Sequence, residues 1–128
     1  MKTVPRLTLA LAVGLFCALS AAAAPAPNFA GTWIGRTDVP DVGPDQVTLI
    51  VKKVEAGYAA TISDSAAVIA DNTAARDLKV NGETISFWFP LASGETVSVQ
   101  LTIAGDALSG AWTHESGQTG SLTFERQK

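Results

Sequence analysis

The chain has 128 residues, room for one domain and little for a second. Hydrophobic residues make up 47% and charged residues 16%, with a net charge of −3. This balance excludes a disordered chain, which is poorer in apolar residues, and no nucleic-acid partner is expected without a Lys/Arg surplus. One Cys excludes an intrachain disulfide and a cysteine zinc cluster, and one His excludes a multi-histidine metal site.

The first segment reads as an address. Lys2 and Arg6 precede an uncharged run from Leu7 to Leu19, and small residues follow before Pro25 and Pro27. Basic, apolar, then small is the order of a secretory signal peptide. The run of about 13 residues is shorter than the roughly 20 needed to span a bilayer as a helix. Cleavage is expected after Ala22 or Ala23, which gives a signal peptide over 1–23, an N-terminal arm over 24–30 and a domain over 31–128. Bulky Phe16 sits where a lipid-anchored cysteine wants a small neighbour, so Cys17 should leave with the signal and no stable membrane anchor is expected. The expected location is periplasmic or secreted. Without Lys2 and Arg6, seven basic residues face twelve acidic ones, a net charge of −5.

From Gly31 the apolar period is two. Val97, Val99, Leu101 and Ile103 alternate with Thr96, Ser98, Gln100 and Thr102, the pattern of a half-buried strand. Similar runs cover 31–38, 46–54, 58–63, 75–80, 84–90, 107–114 and 119–126, which makes eight strands with that at 95–103. Gly, Asp, Asn or Pro separates nearly all of them, at the spacing of an all-β barrel or sandwich. The Ala-rich stretch Ser65 to Ala75 is too short for a helix that stands alone, and Asn72 and Thr73 weaken it.

The turns can be checked against one another. Gly105-Asp106 as a two-residue turn sets Ile103 against Leu108, Leu101 against Gly110, Val99 against Trp112 and Val97 against His114. The next hairpin then pairs Trp112 with Leu122 and Gly110 with Phe124. A turn at Asn81-Gly82 sets Leu78 against Ile85. These pairings give one inward set: Leu78, Val80, Ile85, Phe87, Phe89, Val97, Val99, Leu101, Ile103, Leu108, Trp112, Leu122 and Phe124. A slip of one residue would turn each of them outward. Glu55-Ala56-Gly57 leaves more than one register open. Nearly every connection is of hairpin length, so the predicted fold is an eight-stranded antiparallel up-and-down barrel, with no edge left over. A two-sheet sandwich is the alternative.

Asn28-Phe29-Ala30-Gly31-Thr32-Trp33 opens the first strand with Gly-x-Trp, and Arg126 closes the last strand on its inward face. With the Gly-Asp turn and Leu108-Ser109-Gly110-Ala111-Trp112, the chain resembles the lipocalins and related calycins, in particular small bacterial lipocalin-like barrels. The resemblance implies an up-and-down barrel in which Trp33 plugs the closed end and Arg126 packs over it. The chain departs from lipocalins in its shorter strands and in lacking their disulfide and C-terminal helix.

Strand direction places Glu55-Ala56-Gly57, Asn81-Gly82 and Gly105-Asp106 at the Trp33 end. Val39–Asp45, Ser63–Ala75, Leu91–Gly94 and Glu115–Gln118 fall at the other end, the first two as long loops. Tight turns at one end and long loops at the other describe a cup that binds at its mouth. The mouth carries eight acids (Asp38, Asp41, Asp45, Asp64, Asp71, Asp77, Glu95 and Glu115) against Arg36 and Arg76, a net −6. Such a rim attracts cations and repels carboxylates. The expected ligand contacts are His114, Phe89, Val97, Arg76 and Thr37.

No nucleophile elbow, phosphate loop or metal motif is present, so no catalytic residue, metal or cofactor is expected. Trp88 alternates out of phase with Phe87 and Phe89 and should face outward, where with Ile50 it could form an apolar patch for a protein partner. The leading expectation is an exported, non-enzymatic lipocalin-like protein that binds a small apolar or cationic molecule. The alternative is an interaction or inhibitor barrel acting through its arm, its loops or the Trp88 face. A third reading is an enzyme working through His114 and a mouth carboxylate.

Overall fold

The computed structural model describes residues 26–128; the expected signal peptide and Cys17 lie outside the described residues. Nine antiparallel strands form one sheet: β1 (Gly31–Val39), β2 (Gly43–Val54), β3 (Gly57–Asp64), β4 (Thr73–Ala74), β5 (Arg76–Asn81), β6 (Thr84–Pro90), β7 (Thr96–Ala104), β8 (Ala107–His114) and β9 (Thr119–Arg126). Their order is β4-β3-β2-β1-β9-β8-β7-β6-β5. β1 pairs with both β2 and β9, and β3 meets β5 across the remaining seam, so the sheet curls into a nearly closed barrel.

The ninth strand corrects the expected eight, and it arises just before the strand predicted at 75–80, at the end of the stretch 63–75 read as a loop. Thr73–Ala74 pairs with β3, whereas Arg76–Asn81 pairs with β6. Between them the Ala75 amide donates to the Ala60 carbonyl at 2.9 Å. Asp77 then takes a φ of 51°, and the β5–β6 register shifts between Arg76 and Lys79. One run of chain thus switches partner, a bulge absorbs the mismatch, and the switch brings the two sheet edges together.

Alternation places the core inside the barrel. β7 buries every second residue, Val97, Val99, Leu101 and Ile103, as its period of two requires. The turn at Gly105-Asp106 and all four pairings expected from it are present. At β2–β3 the open register resolves to Val54 opposite Gly57.

Two other pairings and one loop differ from expectation. β8 and β9 are offset by two residues, so Trp112 faces Gly120 and Gly110 faces Leu122. A shift of two keeps every side chain on its own face, so the apolar pattern cannot detect it. The cause is the indole: a Cβ at residue 120 would lie 2.4 Å from the Trp112 ring, and only glycine leaves that room. The β5–β6 turn sits one residue later, with Val80 rather than Leu78 opposite Ile85. Val80 nevertheless stays 40% exposed, because no strand pairs with the other side of β5 there; Leu78 is half-buried against the core. Lastly, the long loop expected at 39–45 is a short turn, closed by Val42 N–H donating to Val39 O at 3.0 Å, with β2 already begun at Gly43.

Candidate functional site: a cavity at the barrel mouth

The two ends of the barrel are built differently. At the closed end Trp33 is fully buried, and register places it directly opposite Arg126. The Arg126 guanidinium lies 4.3 Å from the indole centroid. The indole N–H donates to Phe29 O at 3.0 Å. Arg126 donates to the carbonyls of Ala30 and Asn28 and to Asp106 Oδ1. Phe29 is fully buried and packs edge-on against Tyr58 with centroids 5.7 Å apart. Phe29 is therefore part of the stopper, held there by the contacts of Asn28 and Ala30 with Arg126, while Asn28 itself stays exposed.

The opposite end opens on a cavity of about 300 Å³. Val47, Ile62, Phe89, Val97, Val99 and Leu122 form apolar walls, and Trp112 closes one side. That volume is at the lower end of the range for small-molecule sites, roughly 300–1,000 Å³. Four of the five expected contact residues, Thr37, Phe89, Val97 and His114, line it. Arg76 does not. Its guanidinium sits 5.1 Å over the outward-facing Trp88 ring, while the Trp88 N–H donates to Asp77 Oδ2 at 2.7 Å. The partner switch at Ala75 turns Arg76 to the outer face, and the same two neighbours partly cover the Trp88 surface. Ile50 is half-buried as well.

Polar groups punctuate the apolar wall. Trp112 Nε1 donates to Thr37 Oγ1 at 2.9 Å, and Thr37 donates in turn to Ser121 O at 2.8 Å. His114 Nδ1 accepts from the Ser116 amide at 3.0 Å and lies 2.8 Å from Ser116 Oγ; Nε2 lies 3.5 Å from Glu95 Oε1. Serine, histidine and carboxylate thus stand in a row; His114 and Glu95 line the cavity and Ser116 does not. Glu115 turns away and accepts from the Thr96 amide at 2.7 Å. Among the described residues no three His, Cys, Asp or Glu side chains gather as a metal site.

The strongest feature of the wall is a pair of acids that sequence reasoning counted only as rim charge. Asp45 is 3% exposed, and both Asp45 and Asp64 line the cavity. Asp45 Oδ1 accepts from Ser65 Oγ at 3.0 Å and from the Ala66 amide at 2.9 Å. Asp64 accepts from the amides of Ile69 at 2.9 Å and Val68 at 3.2 Å. Burial pushes the Asp64 carboxyl up to about 6; a hydrogen bond to Asp45 and its negative charge push the same way, and the Ile69 and Val68 amides pull against them. Together the two carboxyls also fasten the loop over 65–72, which buries Ile69 and reaches across the mouth through Ala92 N–H to Val68 O at 2.9 Å.

A raised acid has a definite effect on stability. The folded chain binds the Asp64 proton more tightly than the unfolded chain does, so this group favours folding most below pH 3.8. That contribution is lost as pH rises through about 6. Asp64→Asn keeps an oxygen for the Ile69 amide, gives up the longer bond from the Val68 amide at 3.2 Å and offers Asp45 a donor. It should raise stability at pH 7.5 by about 1 kcal/mol, the full linkage value being discounted for solvent access. It should also flatten the stability profile between pH 4 and 7 in urea titrations. A variant less stable than the parent at pH 7.5 would show that the pair is not strained by its charge.

No protein-family model matches the chain, and no curated protein does. Among solved structures it is similar to a de novo designed fluorescence-activating beta barrel, with a TM-score of 0.52 at 18% identity over 77% of this chain and 94% of that one. A second is secretory abundant heat soluble protein 4 from Ramazzottius varieornatus, with a TM-score of 0.48 at 16% identity over 77% of this chain and 94% of that one. At such identities the designed barrel supports the fold alone: this chain is a nearly closed antiparallel β-barrel.

Proposed function

We propose that this protein is an exported, non-enzymatic, lipocalin-like barrel that takes a small, largely apolar molecule into its mouth cavity. The observation that carries the reading is the asymmetry of the barrel interior: one end is stoppered by Phe29, Trp33 and Arg126, and the other opens on about 300 Å³ of apolar-walled space. Native cores are close-packed, and space of this size is rarely left in them without use. The fold likeness to a designed barrel made to activate a fluorophore supports a binding role for such an interior. Export rests on the basic, apolar and small-residue order of residues 1–23.

Nile red, a neutral apolar dye, should brighten on binding and titrate to one site per chain. Val97→Trp fills the cavity from β7, opposite His114, and should weaken the dye at least about tenfold, about 1.4 kcal/mol. Its folded state is checked by circular dichroism. Equal dye affinity in a folded Val97→Trp would place the dye on the outer surface and remove the cavity from the account.

A further inference from the structure

The cavity has acids without a cation. Asp45 on β2 and Asp64 at the end of β3 receive only neutral donors: Ser65 Oγ and the amides of Ala66, Val68 and Ile69. Among the described residues the ion pairs are His114 with Glu95 and Arg126 with Asp106, and neither reaches the two aspartates. The other titratable groups facing the same space are Asp41 from the β1–β2 turn, Glu95 from the β6–β7 loop and His114 from β8. No Lys or Arg lines it. A carboxylate as buried as Asp45 is costly to keep ionised unless something positive faces it. The negative charge of Asp45 instead helps to hold the neighbouring Asp64 carboxyl up near 6, after burial.

We propose that the ligand is an apolar amine, whose ammonium group docks against the Asp45–Asp64 carboxyl pair while its hydrocarbon lies along Ile62, Phe89 and Val97. The inference rests on the reading of the cavity as the binding site and names the class of molecule it takes. The ammonium donates to carboxylate oxygens and replaces the proton that Asp64 holds below about pH 6, so binding there releases that proton. A fatty acid would bring a third negative charge to the same wall and is disfavoured. A neutral alcohol of equal length fits the apolar part and gains nothing from the pair.

The test is calorimetric titration of the protein with octylamine, octanol and octanoate at pH 7.5 and pH 5. An alkylammonium, like a lysine side chain, stays charged across this range. At pH 7.5 octylamine should bind at least about tenfold tighter than octanol, with octanoate weakest. At pH 5 the amine should lose about tenfold, since a group titrating near 6 is then mostly protonated. Asp64→Asn should bring amine and alcohol together and abolish the pH dependence, and Asp64→Glu should restore both. Asp45→Asn, read the same way, serves if Asp64→Asn does not fold. Amine and alcohol binding alike at both pH values would overturn the inference and leave the binding barrel standing. If none of the three bound, both readings would fall. An amine preference that survived in both asparagine variants, or a pH dependence lost in His114→Gln and kept in Asp64→Asn, would put the recognising charge elsewhere and overturn the inference.

Discussion

Trp33→Ala is expected to lower the stability of the barrel by about 3–5 kcal/mol, the range for truncating a buried aromatic side chain. Three losses combine. The indole is fully buried, so its removal leaves a void that the closed end cannot fill. Phe29 O loses the N–H that satisfies it at 3.0 Å, inside a buried segment. Arg126 loses the ring face 4.3 Å from its guanidinium, a contact of roughly 0.5–2 kcal/mol when partly desolvated. Small domains have about 5–15 kcal/mol in total, so a large share goes with one side chain. Chemical denaturation at constant pH measures it. The mouth lies at the other end, so Nile red affinity measured on the folded fraction should hold. A midpoint unchanged in Trp33→Ala would mean that the closed end is not held by its tryptophan.

Much of the fold was legible because a barrel wall repeats every two residues. Val97 to Ile103 fixed an inward face, and the Gly105-Asp106 turn fixed the β7–β8 register without ambiguity. Errors fell where the pattern is blind. The offset of β9 by two residues leaves every face unchanged, and only the room needed by the Trp112 ring beside Gly120 selects the true register. The extra strand at 73–74, ahead of the one expected at 75–80, depends on closing the sheet, a tertiary demand that no local period records. Pro40, Gly43 and Pro44 read as loop, yet β2 extends to Gly43 to complete its ladder with β1.

The site was legible in outline. Residues near the mouth on inward positions, Thr37, Phe89, Val97 and His114, do face one space. Arg76 was assigned by its loop and not by its face, and the bulge in β5 carries it outside. The acid pair carried a signal that the charge count hid. Asp45 shares the parity of Val47, Leu49 and Val51, and Asp64 that of Ala60 and Ile62, so alternation points both carboxyls inward. A polar residue that continues a buried period departs from local consistency, and such departures concentrate at functional positions. What the sequence left open is the register of β2 against β3, which sets Val47 opposite Asp64 and brings the two acids together.

Gly110→Ala is the second substitution with a large expected effect, and it acts through the wall of the site. Gly110 is not among the residues with positive φ, so alanine suits its conformation. The obstacle is space. A Cβ there would lie 1.9 Å from Gln100 O, 2.9 Å from Gln100 C and 3.0 Å from Leu101 Cα, all backbone atoms of β7. Backbone in the middle of a ladder cannot move aside as a side-chain tip can, and β7 is held by β6 on its other edge. The gain from replacing glycine, roughly 0.5–1 kcal/mol of unfolded-chain entropy, is smaller than the cost of forcing the strands apart. The net loss is expected to be about 2–3 kcal/mol, near the upper end for overpacking. That corresponds to a fall in melting temperature of about 10–20 °C for a domain of this size. Gly105→Ala, where nothing lies within 4 Å and only a φ of 61° opposes the new side chain, is the matched control and should cost less. The two strands that must separate at Gly110 also carry Val97, Val99, Trp112 and His114, four residues of the cavity wall. The folded fraction of Gly110→Ala should therefore bind Nile red more weakly, whereas that of Gly105→Ala should bind it as the parent does. A melting temperature for Gly110→Ala at or above that of Gly105→Ala would show that β7 and β8 do not cross as closely as the ladder places them.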